Sequence, residues 1–151
     1  EGQEGGPGSL PGELRIRLVV DTNIIISATI KDSGARAILL HPAFQFFTPE
    51  HALHEIEKHY DEIREKTGLT DADCRKLIDA LISSVTVIPK SEFREYLPRA
   101  RQIMHDIDVD DTSFIALALS FKNEGIWSED KDFQRQNAVR IWRTRDLVDV
   151  L

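Results

Sequence analysis

The sequence predicts an α/β domain in which helices cover both faces of a parallel β-sheet. Short apolar segments rich in β-branched residues alternate along the chain with segments whose apolar residues recur at helical spacing. Parallel strands need a crossover between them, usually a helix, so this alternation is typical of a parallel sheet. The length of 151 residues fits one domain that buries a core without disulfides or a structural metal.

Five segments predict the strands. Residues 14–20 (LRIRLVV) form an apolar run that ends abruptly at Asp21-Thr22-Asn23. The other four are residues 44–47 (FQFF), 85–88 (VTVI, closed by a proline), a short run beginning at 126–127 (IW), and 139–142. Because parallel strands end at the same edge of a sheet, polar residues that follow the first and fourth strands are expected to lie near one another.

Capping and helix-breaking residues predict where the helices begin and end. Asp32-Ser33-Gly34 separates two short helices, Thr48 is an N-cap candidate followed by Pro49, and Thr70 caps the next helix after Thr67-Gly68. The predicted helices are residues 24–28, 35–40, 49–64, 91–104 and 111–122, a helix after Thr70 with its apolar face at Leu77, Ile78, Leu81 and Ile82, and a closing helix at 145–150 capped by Thr144.

Composition and charge narrow the classes of function. Lys and Arg number 19 against 26 Asp and Glu, a formal net charge of -7, which argues against binding nucleic acid or membrane by bulk positive charge. It does not exclude a nuclease whose carboxylates surround metal ions. Cys74 is the single cysteine, so a disulfide framework is impossible and a reducing, cytoplasmic compartment is expected. No apolar run is long enough to predict a membrane span.

The first residues are set apart from the predicted fold. Residues 1–13 (EGQEGGPGSLPGE) lack an initiator Met and are rich in Gly and Pro, and are interpreted as a flexible leader or expression remnant. Residues 14–151 are then predicted to form the single domain.

Four carboxylates are expected at the carboxyl edge of the sheet. Asp21 follows the first strand and Asp130 the fourth, Asp111 opens the helix before that fourth strand, and Glu55 lies about two turns into the helix after the second. Carboxylates that converge repel one another unless a cation neutralises them, and hard divalent ions with oxygen ligands, Mg²⁺ or Mn²⁺, suit that task. Such a cluster suits the activation of water and the stabilisation of a phosphoryl transition state.

Four segments in order, VVDTNIIISA, TPEHALHEIEKH, DVDDTSFIALALSF and GIWSEDKDF, resemble the PIN-domain family of metal-dependent ribonucleases, from about residue 15 to residue 151. The resemblance implies a three-layer α/β/α sandwich and cleavage of single-stranded RNA by metal-activated water with Mg²⁺ or Mn²⁺. Many relatives resemble toxins that a cognate antitoxin holds silent, and the resemblance also suggests a homodimer.

Carried over residue by residue, the family's four acids, which bind the metal and catalyse, match Asp21, Glu55, Asp111 and Asp130. The supporting positions match Asn23 and Ser128, with Asp132 beside them. Other acids stay open as substitutes, namely Glu57, Asp108, Asp110 and, in place of Asp130, Asp132.

Other interpretations stay open too. Each acid alone has a structural explanation: Asp21 and Asp111 as helix caps, Asp130 as a turn residue, Glu55 as a solvent-facing side chain. HEIEKH places its histidines five residues apart, so it is not a zinc HExxH helix. Basic residues near the end of the sequence could bind an RNA backbone or simply face solvent: Lys131, Arg135, Arg140, Arg143 and Arg145. The alternative functions are a non-catalytic PIN-like module that binds RNA or protein, and a phosphoryl-transfer enzyme or receiver domain.

Overall fold

The computed structural model describes residues 14–105, 107 and 111–151, and within them the chain forms one five-stranded parallel sheet. The strands are β1 (Ile16–Val20), β2 (Phe44–Pro49), β3 (Val85–Ile88), β4 (Ile126–Trp127) and β5 (Ile141–Trp142), in the order β3-β2-β1-β4-β5. The predicted leader, residues 1–13, and the acids Asp108 and Asp110 lie outside the described residues.

The helices alternate with the strands as predicted. They are α1 (Thr22–Ile30), α2 (Gly34–Leu39), α3 (His51–Lys58), α4 (Tyr60–Thr67), α5 (Asp71–Ile82), α6 (Leu97–Ile103), α7 (Thr112–Ser120) and α8 (Thr144–Val150). Short 3₁₀ turns lie between some of them, at Lys90–Glu92, Arg94–Tyr96 and Lys131–Arg135. No helix in the described part of the chain is long and apolar enough to cross a membrane.

Two buried clusters lie on opposite faces of the sheet, which makes the fold a three-layer α/β/α sandwich. Successive residues of β1 alternate between them: Leu18 and Val20 pack into one cluster, and Val19 into the other. The first cluster is covered by α1, α2, α4, α5 and α8, and the second by α6 and α7. The predicted fold class is confirmed.

The second strand is longer than predicted, and the helix after it is divided in two. Thr48 does not cap a helix: its hydroxyl donates to the carbonyl of Val20 (2.9 Å), and Thr48 and Pro49 extend β2 beside β3. The amide of Glu50 then donates to the carbonyl of Ile88 (3.0 Å), so pairing with β3 delays the helix to His51. His59 leaves helical geometry between α3 and α4, and Tyr60 turns into the core.

Other boundaries also differ from the prediction, most clearly in the second half of the chain. Residues 91–104 form two 3₁₀ turns before α6, whose first turn accommodates Pro98, which lacks an amide hydrogen. The last strand is only Ile141–Trp142, paired with β4. Arg143, not Thr144, is the N-cap of α8, because the Thr144 hydroxyl accepts a hydrogen bond from the indole of Trp127 (3.0 Å).

Candidate active site at the carboxyl edge of the sheet

The carboxyl ends of β1 and β4 hold two of the predicted acids side by side. The strands pair in parallel, Val20 opposite Trp127, so that Asp21 and Ser128 follow them at the same edge. The Ser128 hydroxyl donates to Oδ2 of Asp21 (2.7 Å) and accepts from the amide of Asp130 (2.9 Å). Ser128, which the sequence predicts as a supporting residue, therefore links Asp21 to Asp130.

Asp21 is a buried carboxylate whose charge is energetically unfavourable. Its exposed fraction is 4%, and burial is the largest cause that raises its pKa from 3.8 to about 6. The hydrogen bond from Ser128 is the main effect that lowers the pKa, with a smaller one from the Asn23 amide, and the charges of Asp130 and Glu55 raise it. Asp21 is the N-cap residue of α1, but its side chain makes no regular capping hydrogen bond, and its firm partner is Ser128.

Glu55 reaches the same edge from α3. The buried Thr22, next to Asp21, donates its hydroxyl to Oε1 of Glu55 (2.5 Å), and Nε2 of His51 lies 3.6 Å from Oε2. These two contacts keep the Glu55 carboxylate close enough to Asp21 for its negative charge to raise the pKa of Asp21. Sequence reasoning missed Thr22, for which the only signal was its place directly after the first acid.

Asp111, Asp130 and Asp132 form the tightest acidic group in the described part of the chain. One carboxylate oxygen of each lies within 4.8 Å of the other two. A magnesium ion holds its ligands at about 2.1 Å, so that opposite oxygens lie about 4.2 Å apart. The three oxygens therefore fit one hard divalent ion after a small side-chain adjustment. Asp132, expected in support or in place of Asp130, lies with two of the predicted ligands.

Local structure explains how these three acids meet. Asp111 is the N-cap residue of α7, yet its side chain makes no capping hydrogen bond. Asp130 is the N-cap residue of the 3₁₀ turn Lys131–Arg135, and its Oδ1 accepts a hydrogen bond from the amide of Asp132 (2.9 Å). That turn brings Asp132 back beside Asp130 and leaves the other Asp130 oxygen for a ligand role.

The remaining candidates lie elsewhere. The Asn23 side chain is exposed, and the supporting role predicted for it stays a prediction. Glu57 is exposed and forms a bidentate ion pair with Arg75 of α5. His59 faces Glu62, with Nδ1 4.0 Å from the carboxylate, rather than the acidic site.

Comparisons with known proteins concern the family and the fold of the chain. A family model described as the PIN domain matches residues 19–150. Among solved structures, the crystal structure of PAE2754 from Pyrobaculum aerophilum is similar at a TM-score of 0.64 and 15% identity, over 97% of each chain, a likeness that concerns the fold alone. No curated protein sequence matches the chain significantly.

Proposed function

Because the chain belongs to the PIN-domain family, we propose that it is a metal-dependent endoribonuclease that hydrolyses phosphodiester bonds in single-stranded RNA. PIN domains form a nuclease family and generally bind divalent metal ions, and this chain has the acidic cluster to do so. The observation that carries the proposal is the convergence of Asp111, Asp130 and Asp132 at the sheet edge that also holds the buried Asp21.

The proposed catalytic and metal-binding residues are Asp21, Glu55, Asp111 and Asp130, with Asp132 as a further carboxylate. Together they would hold one or two Mg²⁺ or Mn²⁺ ions. A divalent ion in such a site supplies a more acidic water and offsets charge on the phosphorus oxygens. The expected products, as the family resemblance implies, carry a 5′-phosphate and a 3′-hydroxyl.

The neighbouring polar groups have positioning roles in this proposal. Ser128 fixes the Asp21 carboxylate and the Asp130 backbone, and Thr22 fixes Glu55. With a pKa of about 6, Asp21 is ionised at neutral pH, as a metal ligand or proton acceptor must be.

Metal dependence tests the proposal. We expect labelled single-stranded RNA to be cut with Mn²⁺ or Mg²⁺, and the rate to fall by at least about 10³-fold in EDTA, since the metal supplies most of the charge stabilisation. The measurement is the initial cleavage rate on a pool of random-sequence RNA, with duplex RNA as the control. Undiminished cutting in EDTA, or a folded protein that cuts nothing in the pool, contradicts it. The second result would favour a non-catalytic binding module.

Replacing Ser128 with Ala tests the positioning role through a pH profile. The Ser128 hydroxyl lowers the pKa of Asp21, so its removal raises that pKa further above about 6. We expect the cleavage rate of Ser128→Ala to fall about tenfold at neutral pH and, at limiting Mn²⁺, where protons compete with the metal for Asp21, to recover partly as the pH rises. A profile whose midpoint coincides with that of the wild type would contradict this assignment, even if the rate falls.

A toxin role, a cognate antitoxin and a homodimer are further proposals that rest on the family resemblance. They are independent of the cleavage chemistry. Growth on expression, co-purification with a small neighbouring protein and the molar mass in solution test them one by one.

A further inference from the structure

A cavity of about 380 Å³ lies between α3 and α6, next to the candidate active site. We call it the α3–α6 pocket; its walls include Glu50, His51, Lys90, Leu97, Arg101 and Thr112. It adjoins the acids at two points: Nε2 of His51 lies 3.6 Å from Oε2 of Glu55, and Thr112 directly follows Asp111. A ligand in the pocket would therefore lie beside the reacting centre.

One polar group of the pocket wall is buried without a hydrogen bond. Thr112 is only 6% exposed, and its hydroxyl oxygen has no hydrogen-bond partner among the described residues. Buried polar atoms are nearly always paired in folded proteins, because leaving one unpaired is unfavourable. A polar ligand group that reaches this hydroxyl from the pocket would satisfy it.

The rim of the pocket is basic, in contrast to the chain as a whole. Lys90 and Arg101 are exposed there, and within the described ranges no carboxylate lies within ion-pair distance of either. The carboxylate of the pocket, that of Glu50, accepts a hydrogen bond from the backbone amide of Lys90 (3.0 Å). Two cations against one carboxylate, in a chain of net charge -7, favour an anionic ligand at the rim.

We propose that the α3–α6 pocket holds one nucleotide of the single-stranded RNA, adjacent to the bond that is cut. The inference rests on the proposed nuclease function and names a specificity site for it. Arg101 and Lys90 bind the nucleotide's phosphate, and Thr112 hydrogen-bonds the polar edge of its base, as in the recognition of unstacked RNA bases. Leu97 supplies apolar surface for the base, and the cavity volume falls within the range of about 300–1,000 Å³ that is usual for small-molecule sites.

Binding of mononucleotides tests the pocket without cleavage. The full-length protein in EDTA is titrated with each 5′-ribonucleoside monophosphate and with inorganic phosphate, while backbone amide NMR signals are recorded. We expect shifts at Thr112 and Arg101, at least one nucleotide binding more tightly than phosphate, and about tenfold weaker binding in Arg101→Ala. Arg99→Ala is the matched control, because Arg99 is also exposed on α6 but does not line the pocket.

Cleavage preference provides the second readout. On the random RNA pool, the wild type is expected to prefer one base next to the cut, and Thr112→Val, which keeps the side-chain shape, is expected to reduce that preference about tenfold. Arg101→Ala is expected to raise KM with little change in the preference, because a phosphate carries no sequence information.

The outcomes separate this inference from the nuclease proposal. If the wild type cuts RNA while Arg101→Ala and Thr112→Val behave like Arg99→Ala, the pocket proposal is overturned and the nuclease stands. If the wild type cuts nothing with any metal while the nucleotides still shift the pocket signals, the nuclease fails and the nucleotide site stands. Phosphate that binds as tightly as every nucleotide, or an acidic peptide that alone shifts these signals, overturns the base-recognition proposal.

Discussion

Asp21→Asn is expected to lower RNA cleavage by about 10³-fold while making the metal-free protein more stable at neutral pH. The amide keeps the shape of the carboxylate, so Ser128 retains a partner, but the negative charge that a divalent ion requires is lost. The measurement pairs the initial cleavage rate in Mn²⁺ with urea unfolding in EDTA, for the variant beside the wild type.

The sign of the stability change follows from the raised pKa of Asp21. Burial raises it from 3.8 to about 6, so between these pH values the folded state holds more protons than the unfolded state. The free energy of unfolding therefore falls as the pH rises through this window. Above about pH 6 the total loss reaches up to about 3 kcal/mol. Asn does not ionise, so the stability advantage of the variant should grow from about pH 4 to about pH 6 and then level off.

An exposed acid far from the site provides the control for both readouts. Asp149→Asn on α8 is expected to change neither cleavage nor the pH dependence of unfolding, because Asp149 is solvent-exposed. A folded Asp21→Asn protein that cuts at the full rate would refute the catalytic assignment. Parallel unfolding curves for Asp21→Asn and the wild type across this pH range would refute the burial argument and leave the catalytic one intact.

The parts of the fold predicted correctly are those that local sequence determines. The alternation of apolar strands and helices predicts the parallel sheet, and the abrupt end of LRIRLVV predicts that Asp21 stands at its carboxyl edge. The end of β2 could not be predicted, because Thr48 and Pro49 carry helix-start signals that pairing with β3 overrides. Hydrogen bonds between distant segments are invisible to local propensity.

The surroundings of the basic residues also depend on contacts between distant segments, which the sequence does not show. Of the late cluster that the sequence singled out, Arg143 donates to Gln134 (2.7 Å) and Arg140 lies 3.7 Å from the Trp142 ring centre, whereas Arg135 faces Asp132 of the acidic group (3.9 Å). The cations that border the α3–α6 pocket are Lys90 and Arg101, which nothing in the sequence connects with Glu55 or Asp111. Only the packing of α3, α6 and α7 brings them together.

Glu55 and Glu57 form a matched pair that tests the second acid. Both are glutamates on α3, two residues apart, and such positions point to different sides of a helix. Glu55 is held by Thr22 at the acidic edge, whereas Glu57 pairs with Arg75 at the surface. Sequence alone left open which of them serves the metal site, and the contacts favour Glu55.

We therefore expect Glu55→Gln to lower kcat by about 10²-fold or more and Glu57→Gln to stay within about twofold of the wild type. The Gln side chain preserves volume and can still accept the Thr22 hydrogen bond, so the loss in Glu55→Gln is that of the charge. The checks are kcat and KM on the same RNA, and the Mn²⁺ concentration that gives half-maximal rate, which should rise for Glu55→Gln alone. Equal losses of kcat in the two variants would mean that either substitution impairs cleavage by destabilising α3. A loss confined to Glu57→Gln would assign the metal-site role to Glu57 instead of Glu55. Because Glu57 has its own ion pair to lose, a silent Glu57→Gln variant would also show that disturbing the α3 surface does not by itself impair cleavage.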